Sequence, residues 1–171
     1  MQIATKINSY NVYQDGKKLI GISDEVTLPD FEAMTETLSG AGLLGEIDEP
    51  LFGHFKSIEM EVPFRTMNKQ MFDMASMSQA INLTLRISTQ ALETSTNNSA
   101  FLPSRIVVKG KNKSITGGKV KQGEGTGSSI KVEINYIMIE VEGKKVFELD
   151  KLNFKYVVNG KDLLATVRKQ V

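Results

Sequence analysis

Residues 119–162 leave this chain little room for anything but long antiparallel strands. They read KVKQGEGTGSSIKVEINYIMIEVEGKKVFELDKLNFKYVVNGKD. A glycine-rich loop opens the segment. Ile130, Val132, Ile134, Tyr136 and Met138 then share one face at a period of two. In the second half Ile137, Ile139 and Val141 make the other face apolar as well, so that end has to be covered on both sides. Glu142-Gly143 turns the chain into a further extended run, Lys145 to Val158, and Asn159-Gly160 closes it. No catalytic or cofactor signature lies in this stretch. It is material for a long sheet that other copies of the chain could join.

The rest of the chain points the same way. Lys6 to Gln14 alternates weakly and meets a hairpin signal at Asp15-Gly16. Leu19 to Leu28 reads as a strand stopped by Pro29, and Phe31 to Leu38 as a further extended piece. Residues 39–53, SGAGLLGEIDEPLFG, carry enough Gly and Pro to predict a long loop with Leu43, Leu44, Ile47 and Leu51 exposed on it. His54 to Val62 alternates, ending at Pro63. The one strong helix candidate runs from Thr66 to Met77, with Met67, Met71, Phe72, Met74 and Ala75 on one face and Thr66 as cap. Strands follow over 81–88, 104–111 and 114–121, with a polar loop at 93–100, and a short helix is expected over 162–168. These elements make one mainly β domain, residues 1–171, with one helix packed on it.

Bulk properties exclude several classes. The chain has 171 residues, with 40% hydrophobic and 24% charged, which suits one domain with a substantial core. A net charge of +1 exerts no global pull toward nucleic acid or membrane. There is no cysteine, so disulfides and thiolate metal sites are ruled out. No apolar run approaches the ~20 residues of a membrane helix, and the first residues lack a signal-peptide pattern. Synthesis in the cytoplasm is the expectation.

Candidate chemistry is thin. His54 is the sole histidine, so any proton relay or zinc site would rest on it alone, and no carboxylate cluster of ligand spacing stands near it. Gly123, Gly125 and Gly127 form a G-x-G-x-G run, but a strand follows where a phosphate-cradling loop needs a helix, so a flexible or closely packed backbone loop is expected. The methionines of residues 67–77 read as a buried helix face more readily than as an adaptable groove. Glu59 and Glu61 share a strand face and are read as a solvated face, not as an acid–base pair.

Charge placement says more. Residues 24–49 hold Asp24, Glu25, Asp30, Glu32, Glu36, Glu46, Asp48 and Glu49 without a lysine or arginine. Residues 105–121 hold Arg105, Lys109, Lys111, Lys113, Lys119 and Lys121 without an acid. Two solvated faces would satisfy a monomer. Self-complementarity is the sharper reading: Asp48, Glu49 and the apolar residues Leu43, Leu44, Ile47 and Leu51 of one copy meet Lys109, Lys111 and Lys113 of the next, a head-to-tail contact. Direct nucleic-acid recognition is disfavoured because no aromatic residues interleave with those lysines.

Several motifs, in order and at matching spacing, resemble the tail tube proteins of contractile-tailed bacteriophages and tailocins. They are Val26-Thr27-Leu28-Pro29, Gly40-Ala41-Gly42, the helix region 66–77, Lys121-Gln122-Gly123-Glu124 with the long strand after it, Glu142-Gly143-Lys144, Glu148-Leu149-Asp150, and Val158-Asn159-Gly160 with Asp162 and Leu163. Residues 78–104 match poorly. The resemblance implies a β-sandwich or barrel-like subunit with a flanking helix and no enzymatic activity or cofactor. It further implies hexameric rings stacked into a tube inside a contractile sheath, with tape measure and baseplate proteins as partners. DNA or ions would pass through without sequence-specific binding. Assembly in the host cytoplasm and residence in the virion or tailocin follow. The lumen is expected to be polar and not strongly basic, with Glu59, Glu61 and Glu133 facing it. Alternatives are the tube of a related injection or secretion system, or a monomeric ligand-binding β-barrel; the latter lacks support from a chain with no Trp and 7% aromatics.

Overall fold

Three two-residue turns set the strand pairing: Asp15-Gly16, Glu142-Gly143 and Asn159-Gly160. Both residues of each have positive φ, between +47° and +79°. That geometry matches the twist of the flanking strands, and Asp, Asn and Gly reach it at low cost. The computed structural model describes residues 1–22 and 25–171. Its elements are β1 (Gln2–Gln14), β2 (Lys17–Lys18), β3 (Ala33–Leu38), β4 (Ile47–Phe55), β5 (Glu59–Phe64) and α1 (Lys69–Asp73). They continue with β6 (Ile81–Glu93), β7 (Ser99–Thr116), β8 (Ser128–Val141), β9 (Lys144–Asp150), β10 (Lys155–Val158), β11 (Lys161–Asp162) and α2 (Ala165–Gln170).

The large sheet runs in the order β11-β10-β9-β8-β7-β6-β1-β2, all neighbours antiparallel. β8 pairs with β7 along its whole length but changes partner on its other edge. Ser128–Glu133 pair with β5, and Tyr136–Val141 pair with β9. The handover is at Ile134 and Asn135: Ile134 N donates to Ile58 O, and Lys151 N donates to Asn135 O. The sheet also curls back on itself. Leu19 N donates to Val12 O of β1, Arg65 N donates to Gly21 O, and bridges join Ile22 to Phe64 and Thr27 to Glu61. The path β5-β8-β7-β6-β1 therefore closes into a small barrel.

Period-two patterning fills that barrel. Val12, Met60, Val62, Phe64, Leu83, Leu85, Val108, Ile130, Val132 and Ile134 are all buried in one cluster. Each such side chain contributes about 1.5–3 kcal/mol when taken out of water. α1 sits against the same core through Met71 and Met74. Asn68 caps it by accepting from Met71 N at 2.9 Å, and Asn112 Nδ2 of β7 donates to Met74 O at 3.0 Å.

Several expectations are corrected. Leu19–Leu28 is no continuous strand; Gly21 turns with φ +81°, and the segment bonds first to β1 and then to β5 (Ser23 and Asp24 lie outside the described residues). The loop expected over 39–53 is only 39–46, because Ile47–Phe55 is strand β4, paired with β3. Pro50 is tolerated on this two-stranded edge, and Gly53 absorbs a bulge with φ +76°. The strand expected over 54–62 is split between β4 and β5, and β5 runs through Pro63 to Phe64. β5 carries only isolated bridges on its outer edge, which accommodates a residue without an N–H. The helix over 66–77 shrinks to Lys69–Asp73 with Asn68, not Thr66, as cap; Met67, Phe72 and Met77 stay exposed. β7 is one strand of 18 residues where two were expected, and register shifts at Lys109/Gly110 and Asn112/Ser114 mark the apparent break. Lys145–Val158 is two strands, split where Asp150 Oδ1 accepts from Leu152 N and Asn153 N.

Candidate subunit-interface site

The β3–β4 hairpin stands apart from the barrel as a separate two-stranded sheet. Its root is clamped by aromatic packing. Phe31 meets Phe147 at 4.7 Å between centroids, Phe55 meets Tyr156 at 5.4 Å, and Phe52 meets Tyr156 at 6.3 Å. Lys56 N donates to Glu32 O, and the Lys56 ammonium pairs with Glu32 at 2.7 Å. Gly53 lies under Leu164; a β-carbon there would come within 2.8 Å of the leucine methyl. The arm is thereby held on β9 and β10 through Phe31, Phe52 and Phe55. His54 packs edge-on against Phe154 at 6.0 Å, which is a structural role.

Sequence reasoning placed Leu43, Leu44, Ile47 and Leu51 in water, and they are exposed, Leu44 completely so. Asp48 and Glu49 lie on the same arm, in strand β4. Their register partners are Thr37 and Glu36, and Thr37 Oγ1 donates to Asp48 Oδ1 at 2.6 Å. Glu36 and Glu49 thus face each other directly, a destabilising like-charge pair. Among the described residues no lysine or arginine pairs with Glu36, Glu46, Asp48 or Glu49.

The other expected residues gather elsewhere. Glu59 of β5 and Glu133 of β8 are also register partners, yet here the chain supplies its own cations. Lys113 pairs closely with Glu59 and lies 3.6 Å from Glu133, Lys131 lies 3.8 Å from Glu59, and Ser57 Oγ donates to Glu133 at 2.6 Å. The Lys113 hydrogen bond holds the Glu59 carboxyl below its usual range against a smaller opposing effect of burial, and the same bond raises Lys113. Glu61 faces Lys131 across the strands, Lys111 faces Glu133, and the Lys109 ammonium lies 5.2 Å over the Tyr136 ring. The acids expected in a channel and the lysines expected at a rim therefore share one outer wall of the barrel.

Sequence reasoning missed two features. On the β8–β9 face, burial pushes the Glu148 carboxyl up, but the hydrogen bond from Lys155 and the charges of Lys155 and Lys145 outweigh it, and the net shift is downward. Alternation of Glu148 with Leu149 hinted only at a strand. The second feature is a groove of about 940 Å3 beside β1 and β2, floored by Val12, Leu19 and Leu85 and edged by Ile7, Ile20 and Leu28. It depends on residues 19–22 and 25–28 lying between β1 and β5, which no local pattern announces.

The glycine-rich loop is a packed backbone. Lys119 N donates to Thr126 O, Thr126 N to Arg65 O, and Ser128 Oγ to Gly117 O, each at 2.8 Å. A side chain at Gly118 or Gly125 would run into the carbonyls of Thr126 and Arg65. Among the described residues no group of three or more His, Asp or Glu side chains could hold a metal ion. No described helix is long and apolar enough to cross a membrane.

Residues 4–171 match the family model described as phage tail tube protein FII. The chain belongs to that family. The tail tube protein of Escherichia phage P2 is 26% identical over 172 residues, covering 100% of this chain and 99% of its relative. The major tail tube protein of Serratia phage KSP20 is 24% identical over 163 residues, covering 95% and 92%. A chain of an extracellular contractile injection system, in the cryo-EM structure of its PVC sheath/tube terminator in the extended state, shares the fold. Its TM-score is 0.54 at 11% identity, over 78% of this chain and 94% of that one. As a member of this family the chain is a phage tail tube protein, a structural protein and not an enzyme. The ligand-binding barrel considered from sequence loses its ground.

Proposed function

We propose that copies of this chain close into hexameric rings and that the rings stack into the inner tube of a contractile tail, a conduit for DNA or ions. The arm carries the reading. A hairpin with five exposed aliphatic side chains, Leu38, Leu43, Leu44, Ile47 and Leu51, and an uncompensated acidic pair is costly for a lone subunit and is relieved by contact with a neighbour. The exposed outer edge of β1, where Gln2–Ser9 are all solvated, gives a second place for sibling strands to add.

The outer wall bearing Glu59, Glu61 and Glu133 suits a lumen lining. With Lys111, Lys113 and Lys131 interleaved, it is polar and close to neutral, so it would neither hold DNA nor repel it strongly. Sheath, tape measure and baseplate proteins are the expected partners, with assembly in the host cytoplasm and residence in the virion or tailocin. The test is negative-stain imaging and sedimentation of the purified full chain over a wide concentration range. Rings or tubes are expected; a protein that stays monomeric throughout would overturn the proposal.

A further inference from the structure

We infer that the arm of one copy docks in the β1–β2 groove of the next copy, with the arm acids meeting Lys17 and Lys18. This rests on the assembly reading above and names the acceptor surface for it. It also replaces the acceptor expected from sequence, since Lys113 is already engaged by Glu59 and Glu133 and Lys109 lies over Tyr136.

Three observations converge on the groove. The first is charge. The chain neutralises its like-charge pair Glu59–Glu133 with Lys113 and Lys131, but leaves Glu36–Glu49 without a cation. Among the described residues Lys17, Lys18 and Lys69 have no ion-pair partner either. Lys18 lines the groove and Lys17 adjoins it. Lys69 stands between Asn68 and Gln70, which bond the backbone of Lys18 and Ile20. Among the described lining residues Glu25 balances Lys18, so the positive balance comes from Lys17 and Lys69 beside the groove. The second observation is apolar complementarity. Ile7, Ile20 and Leu28 are exposed at the edge of an apolar floor, and the arm presents Leu43, Leu44, Ile47 and Leu51.

The third observation is that the two surfaces differ. The groove lies beside β1 and β2, while the arm is rooted on β9 and β10 and leaves the groove segment just after Leu28. A contact between two different surfaces on separate copies is heterologous and repeats from copy to copy, which generates a closed ring or an open filament. The same groove would also admit a small apolar molecule, but among the described residues no buried charged side chain converges there to orient one.

The chain has no cysteine, so single-cysteine variants report cleanly. Leu44→Cys is mixed with Ile20→Cys or Leu28→Cys and oxidised under assembling conditions, with Leu152→Cys as an exposed control away from the groove. In parallel, Lys17→Glu/Lys18→Glu is assayed alone and mixed with Asp48→Lys/Glu49→Lys. Mixed-species cross-links well above the control are expected, with assembly reduced at least tenfold by each reversal and recovered on mixing. If replacing Leu43, Leu44, Ile47 and Leu51 by alanine abolishes assembly while neither groove cysteine cross-links and the lysine reversal is silent, the groove assignment is wrong and the assembly reading stands. If the unaltered chain never assembles, the assembly reading itself falls.

Discussion

Replacing Leu43, Leu44, Ile47 and Leu51 together by alanine isolates the apolar contribution of the arm. Deleting 43–51 would not, because it removes half of β4 along with the loop. Leu44 is fully exposed and the other three are about half exposed, so roughly two and a half side chains' worth of apolar surface faces water. Full burial of that surface is worth about 4–7 kcal/mol at ~1.5–3 kcal/mol per side chain. Alanine keeps the β-carbons and docking covers surfaces incompletely, which leaves a loss of about 2–5 kcal/mol per arm. The entropy lost on association is common to both proteins and cancels in the comparison. At ~1.4 kcal/mol per tenfold, the critical concentration for assembly should rise by about thirty-fold to a few thousand-fold. Sedimentation of polymer against total protein measures it. Since none of the four side chains is in the core, monomer stability should change by less than ~0.5 kcal/mol. An unchanged critical concentration with an intact fold would refute the assembly role of the arm.

Gly110→Ala should destabilise the monomer by about 2 kcal/mol or more in urea unfolding, because the new methyl meets the Glu133 carbonyl and Val132 at a register shift; unaltered stability would contradict that close approach. Asn112→Ala should cost about 1–3 kcal/mol by leaving the Met74 carbonyl unpaired in the core, and should loosen α1 ahead of the sheet in hydrogen exchange. Glu148→Gln should destabilise the protein in a pH-dependent way. The Glu148 pKa is lowered on folding, so its contribution is present above the unfolded value of ~4.3 and is lost as pH falls through the folded value. The stability gap between the two proteins should be open at pH 7 and narrow as pH falls below the ordinary glutamate range; a gap of constant size would refute the ion-pair origin.

The sequence determined what is local. Alternation and the three positive-φ turns were enough for the β8–β9 and β10–β11 hairpins and for the β1–β2 corner, because turn chemistry and period-two burial act over a few residues. They also marked the glycine loop as structural and the four aliphatic residues of 43–51 as solvated. Tertiary structure alone decided where the chain closes and which charges meet. β8 changes partner at Ile134, Ile22 and Thr27 bridge to β5, and Lys113 crosses to Glu59 from a strand 54 residues away. The helix pattern of 66–77 was legible but overstated, since the barrel accepts only Met71 and Met74, and exposed methionines have no packing to hold them in register. Gly and Pro in 39–53 read as loop because their penalties are local, whereas the pairing with β3 that outweighs them is made at a distance. Long-range closure sorts side chains into core, wall and arm, and a linear pattern does not contain it.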